Sequence, residues 1–109
     1  MNVQFKKGAL ELLVLLIINN NDQYGYSLIQ IIAKKIAISE GTIYPLLRRL
    51  VKEGYLNSYY EPSREGPSRK YYAITVKGNE RLKKLTEEWN MFTESINSFM
   101  KESDIHDKG

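Results

Sequence analysis

Ten consecutive residues, ALELLVLLII from Ala9 to Ile18, leave a chain of 109 residues few ways to fold. The run is well short of the roughly 20 apolar residues a membrane span needs, and it carries Glu11 inside it. A helix that is apolar almost all round is a buried helix. The first helix is therefore expected in the core over roughly Lys7 to Asn20, with the polar run NNND at 19–22 stopping it. A chain of this length reads as one domain with an appendage, short enough that burial against a partner matters.

Cysteine is absent, which excludes a disulfide framework and a thiolate metal site, and no signal peptide is visible. Both observations point to the cytoplasm. The formal net charge is +3, and its distribution is more informative than its size. Residues 1–80 hold 11 Lys and Arg against 7 Asp and Glu, while residues 81–109 hold 5 against 6. The basic character belongs to the first part, as expected where that part meets an anion.

A second helix is expected over YGYSLIQIIAKKI, from Tyr24 to Ile36, with Tyr24, Leu28, Ile31 and Ile32 at helical spacing and Lys34 and Lys35 in the last turn. After the short link AIS, Ser39 can cap a third helix with its hydroxyl, Glu40 follows in its first turn, and Gly54 marks its end. Pro45 lies inside this helix. Proline lacks the N–H and its ring presses on the carbonyl four residues back, here that of Gly41, so an irregular or kinked first turn is expected before a regular helix. Ile43, Leu46, Leu47, Leu50 and Val51 form one apolar stripe. Thr42, Tyr44, Pro45, Arg48, Arg49 and Lys52 are left to the other faces, which are polar, aromatic and basic.

Beyond Gly54, YLNSYYE alternates Leu56, Ser58 and Tyr60 with Tyr55, Asn57 and Tyr59, and KYYAIT alternates similarly. Two strands joined by the eight residues PSREGPSR make a β-hairpin with a long tip, in which Gly66 and Pro67 would allow a sharp turn. Three helices followed by a hairpin is the winged-helix arrangement, a helix-turn-helix whose hairpin is the wing. In that arrangement the exposed face of the third helix enters the major groove of DNA and basic wing residues reach phosphates. The candidate DNA-binding residues are Ser39, Thr42, Tyr44, Arg48, Arg49 and Lys52 on the third helix and Arg64, Arg69 and Lys70 on the wing. Taken singly, a basic Gly/Pro loop is usually a solvated turn and basic residues on a helix face usually serve solubility. The combination, in this order and without a catalytic set, favours DNA.

From Thr75, a good cap, a helix of some 25 residues can run to about Lys101 with Leu82, Leu85, Trp89, Phe92, Ile96 and Phe99 spaced 3, 4, 3, 4, 3. These are alternating a and d positions. At about 1.5 Å per residue the helix extends on the order of 40 Å, too long for a domain this small to cover its stripe. The stripe is expected to dimerise the chain; the alternative is that it folds back on its own domain. The expected organisation is mainly α with a small β-hairpin: a winged helix-turn-helix over 1–75, a dimerisation helix over 76–102 and a disordered tail over 103–109.

YGYSLIQ at 24–30, SEGTIYPLLRRLVKEGYL at 39–56 and GPSRKYYAITVKG at 66–78 resemble the signature segments of PadR-type transcriptional regulators, a winged-helix family. The resemblance spans about the first eighty residues. It implies a homodimeric repressor that binds a roughly palindromic operator and releases it when an effector binds. In small regulators of that family a tryptophan on the last helix flanks a pore at the dimer centre that sandwiches flat, often cationic, drug-like molecules. Trp89 in EEWNMF stands at the matching place, with Phe92 beside it. A single tryptophan in an apolar stripe is also ordinary packing, and that alternative stays open here.

Catalysis finds little support, and no cofactor is expected. The single histidine, His106, falls in the polar tail SDIHDKG without an oriented partner, and there is no metal cluster, P-loop or dinucleotide fingerprint. The competing functional class is a winged helix used for protein interaction, with the Tyr-rich hairpin and the aromatic tail as its surfaces.

Overall fold

The structure, a computed structural model, describes residues 3–103, with side chains from residue 8 onward. His106 and the tail from residue 104 lie outside the described residues. The element order is α1 (Val3–Asn20), β1 (Gln23–Tyr24), α2 (Gly25–Ala33), α3 (Glu40–Lys52), β2 (Leu56–Ser63), β3 (Gly66–Ile74) and α4 (Val76–Glu102). The three strands form one antiparallel sheet in the order β1-β3-β2. The expected hairpin is therefore the larger part of a three-stranded sheet. β1 has only two residues, too few for alternation to reveal it.

The apolar run forms the centre of the domain. Leu10, Val14, Leu15 and Ile18 of α1 are buried against Leu28 and Ile32 of α2, Ile43, Leu47 and Leu50 of α3, Leu56, Tyr72 and Leu82. At about 1.5–3 kcal/mol for each fully buried aliphatic side chain, this cluster outweighs any surface ion pair. The stripe of α2 is Gly25, Leu28, Ile29 and Ile32. Ile31, expected in that stripe, is exposed, and Ile29 takes its place because the helix begins at Gly25, with Tyr24 drawn into the sheet.

The start of α3 meets one expectation, an irregular first turn, and departs from another, the Ser39 hydroxyl cap. The helix runs without interruption through Pro45. Gly41 and Pro45 are both exposed, so the carbonyl that proline leaves without a donor faces water. The first turn is tightened, with the Ser39 carbonyl accepting from both Thr42 N at 3.1 Å and Ile43 N at 3.3 Å. Ser39 occupies the cap position, but its hydroxyl caps no backbone N–H; it lies 3.4 Å from the Thr42 hydroxyl instead.

The other end of α3 closes with a Schellman motif. Gly54 takes φ 83°, Gly54 N donates to Val51 O at 3.0 Å, and Tyr55 N donates to Leu50 O at 2.9 Å. That turn is docked directly into the start of α4. Thr75 N donates to Tyr55 O at 3.1 Å, and the Thr75 hydroxyl donates to Gly54 O at 2.7 Å while accepting from Gly78 N at 2.9 Å. Thr75 is thus the expected cap, shared between two helix ends.

The hairpin tip is shorter than expected. Ser63 pairs with Gly66, leaving Arg64 and Glu65 alone as the turn. Gly66 and Pro67 belong to β3, and a side chain at Gly66 would meet open space. Between the pairs Glu61–Arg69 and Ser63–Gly66 the register shifts, so Pro62 on one strand faces Pro67 and Ser68 on the other. Both prolines lack the ladder donor, and a bulge is where a strand tolerates that.

A Cβ on Gly78 would overlap the Tyr55 carbonyl oxygen and crowd Ile74. Gly78→Ala should therefore cost about 2–3 kcal/mol by forcing α3 and α4 apart, measured by urea unfolding, whereas Gly8→Ala, where the added methyl meets nothing, should be neutral or stabilising.

Candidate nucleic-acid interface

The expected site residues divide into three groups once their faces are known. Thr42, Arg48 and Lys52 are exposed on the outward side of α3, and Ser39 is exposed at its cap. Tyr44 is half-buried: its ring lies over Gly25, where a Cβ would come within 3.0 Å of the ring edge. Burial raises the Tyr44 phenol above its ordinary value, with Glu40 adding to the effect.

Arg49 turns away from this face. Expected among the outward basic residues, it donates to Glu11 Oε2 at 3.2 Å and to Glu53 Oε2 at 3.0 Å. Burial pulls its guanidinium down, but the hydrogen bonds and charges of Glu11 and Glu53 outweigh that and leave it above its ordinary value. Glu11, inside the apolar run, is buried and also accepts from Arg81 Nε at 3.1 Å. A run of apolar residues interrupted by one carboxylate signals a need for buried cationic partners, but their places in the sequence, 38 and 70 residues away, are visible only in the fold.

The wing residues alternate across the sheet. Lys70 shares a face with Tyr72 and, across the ladder, with Tyr60, and this face is continuous with α3. The Lys70 ammonium is 5.8 Å from the Tyr72 ring centroid. The buried Tyr72 phenol is pushed up first by its burial and then by Tyr44 and Tyr60, while Arg48 opposes the shift. Tyr60, Tyr72 and Lys70 thus share the face of the wing whose electrostatics Tyr44 and Arg48 of α3 also influence. Tyr60, 67% exposed, was not among the expected contacts, although its alternation with Leu56 and Ser58 had already put it on this face.

Arg69 faces the other way. Tyr24, Tyr71 and Tyr59 form one row across the three strands, with ring centroids 5.9 and 5.7 Å apart and the second pair nearly parallel at 18°. The Arg69 guanidinium lies 4.9 Å from the Tyr24 centroid, a cation–π contact that orients its stem on the outer side of the wing. Arg64 is exposed at the tip. The three wing cations thus cover the inner face, the outer face and the tip, a spread that suits a phosphate backbone passing the hairpin.

The profile of the transcriptional regulator PadR-like family matches residues 14–84, which span α1 to the base of α4. The chain belongs to the PadR-like family of transcriptional regulators. It is 40% identical to a PadR-like transcriptional regulator from Bacillus cereus whose crystal structure superposes with a TM-score of 0.81, over 89% of this chain and 96% of that one. A Streptococcus transcriptional regulator is 33% identical, with a TM-score of 0.82 over 90% of this chain and 98% of that one. An uncharacterised protein from Lysinibacillus sphaericus is 36% identical over 98 residues, covering 86% of this chain and 90% of its own. DNA binding follows from the family, and the winged-helix architecture of this PadR-like chain matches that of its solved relatives.

The outer row of tyrosines is tied to the start of β1 by one short bond, from the Tyr59 hydroxyl to Asp22 Oδ2 at 2.6 Å, which pushes the phenol up from 10.0 to about 12. Because the folded value is raised, this bond stabilises fully below about 10 and is lost as pH rises toward about 12. Ultraviolet titration should find Tyr59 among the late-ionising tyrosines of the native protein, beside Tyr44 and Tyr72, and Asp22→Asn should move one of these back toward 10; an unchanged titration curve would show that the bond is not made in solution.

Proposed function

We propose that this protein is a homodimeric repressor of a pseudo-palindromic operator, acting on DNA in the cytoplasm. The observation that carries the reading is that Tyr60 and Lys70 share a face of the wing whose electrostatics Tyr44 and Arg48 of α3 also influence. Thr42 and Tyr44 near the start of α3 would face base edges in the major groove, with Ser39 and Arg48 beside them, while Lys52, Arg64, Arg69 and Lys70 would hold phosphates. Arg49 is left out of the contact set because both its terminal nitrogens are already paired with carboxylates, Glu11 and Glu53.

The test is a gel-shift titration against DNA from the region upstream of the coding sequence, at two salt concentrations, with random competitor present. Binding should resist competitor and weaken with salt at a slope of about 0.9 per phosphate contact. Lys70→Ala should weaken binding to every sequence and reduce that slope by about one, whereas Thr42→Ala should change the preferred sequence. Binding that the competitor abolishes would overturn the reading and leave the protein-interaction function instead.

The dimer is supported by the far half of α4. Leu82 is buried and Leu85 and Trp89 are half-buried against the domain, but Phe92 is 54%, Ile96 41% and Phe99 69% exposed, with Met91 beside them at 69%. A second copy laying its own stripe along this one would cover them. A planar aromatic effector would bind at the dimer centre between Trp89 and Phe92 of the two copies. Phe92→Glu combined with Phe99→Glu should sediment as a monomer. In the native protein planar aromatic cations should quench the single tryptophan, and in that variant they should not; a dimeric variant, or quenching equal in both, would contradict this arrangement.

A further inference from the structure

Among the described residues, Glu11 is the charged side chain that lies inside the core, 7% exposed. DNA recognition as proposed above makes no use of it. Its two oxygens are divided between two helices: Oε2 accepts from Arg49 on α3 and Oε1 from Arg81 on α4. Each guanidinium has a second hold, Arg49 on Glu53 and Arg81 over the Tyr55 ring with its centroid 5.6 Å away. Two carboxylates and two guanidiniums thus form one neutral network that spans α1, α3, the turn after α3 and the base of α4.

Such a network is a poor source of net stability, because desolvating the charges offsets most of their attraction and apolar side chains of the same shape would serve as well. What it supplies is direction. The aliphatic contacts nearby tolerate a small slip of one helix on another. A guanidinium-to-carboxylate bond does not, since a slip leaves a charge inside the core without its donor. Direction matters most at this place in the fold. Of the 27 residues of α4, Gly78 and Leu82 are buried and Leu85 and Trp89 half-buried against the domain, so the helix is held over its first half and then leaves it. Arg81 sits within that first half, and a second polar link, Asn79 Nδ2 to Asn19 Oδ1 at 2.8 Å, lies beside it. Any tilt there is magnified along the roughly 30 Å of helix beyond Arg81.

We infer that Glu11 is a positioning residue which, through Arg49 and Arg81, sets the angle between the recognition helix α3 and the dimerisation helix α4, and so sets the half-site spacing that a dimer accepts. This deepens the dimeric DNA-binding reading and rests on it for the second half of the statement. The first half is measurable without DNA. The chain has no cysteine, so spin labels at Lys52→Cys on α3 and Asn97→Cys on α4, in labelled protein diluted with unlabelled, report the angle as a distance distribution. Glu11→Gln should broaden that distribution. Arg81→Met, at a side chain about one-third exposed, should broaden it too and covers the case in which Glu11→Gln fails to fold. A width equal to that of the native protein in a folded variant overturns the inference.

The second half is read with operators whose half-sites are moved apart or together by a few base pairs. The native protein should lose roughly tenfold in affinity or more when the spacing is wrong. In Glu11→Gln and Arg81→Met the ratio between right and wrong spacing should shrink by roughly threefold or more. A loss of affinity equal at every spacing would mean that the network only supports the fold, and would overturn the positioning role. Failure of the native protein to bind any operator specifically would instead count against the DNA-binding reading, with the label distances still deciding the role of Glu11.

Discussion

The close approach of Gly78 to the Tyr55 carbonyl is the constraint on which the arrangement of this protein depends. It brings the end of α3 against the start of α4. Thr75 joins the two ends: it gives its amide to Tyr55 O and its hydroxyl to Gly54 O, and its hydroxyl accepts from the Gly78 amide of its own helix. Lys77 closes the outside by donating to Glu53 O at 2.8 Å. The left-handed turn at Gly54 is needed so that the chain can reverse after α3 and present those carbonyls. With this junction set, the direction in which α4 leaves the domain follows from its first two turns, and the exposed apolar stripe beyond Trp89 is carried away from the core that would otherwise cover it.

The wing follows a different rule, the period of two along a strand. Because Arg69 and Lys70 are consecutive, they must stand on opposite faces of β3. The inner face lies under the electrostatic influence of Arg48 and Tyr44 of α3, and the outer face carries the row Tyr24, Tyr71, Tyr59. That row does structural work at the far side of the sheet: it ties the two-residue β1, the start of α2 and the two long strands together through ring contacts and the Asp22 bond. The wing is thereby braced on its outer face by packed aromatic rings.

Much of this was legible in the residues. The helical stripe of α3, its stop at Gly54, the cap at Thr75 and the length of α4 were read directly, because each rests on neighbours within one or two turns. The irregular first turn expected before Pro45 is present as a tightened turn, and the helix continues through the proline because Gly41, whose carbonyl loses its donor, lies in an exposed turn. The long hairpin tip failed because the prolines and Gly66, which read as loop residues, occupy a bulge between paired strands. Arg49 was assigned to the outward face by its helical position, and only the fold shows the partners that turn it inward.

The sequence by itself determined the four helices, the two long strands, the buried face of α3 and the family, since these depend on periodicity and on residues close together along the chain. Tertiary structure alone decided which basic residues are paired within the protein. That choice depends on distances between segments: Glu11 claims Arg49 and Arg81 from 38 and 70 residues away, whereas the Tyr24 ring across the sheet only orients Arg69. A charge is free or engaged according to what the fold places within a few ångströms of it, and no spacing within one helix or strand carries that information.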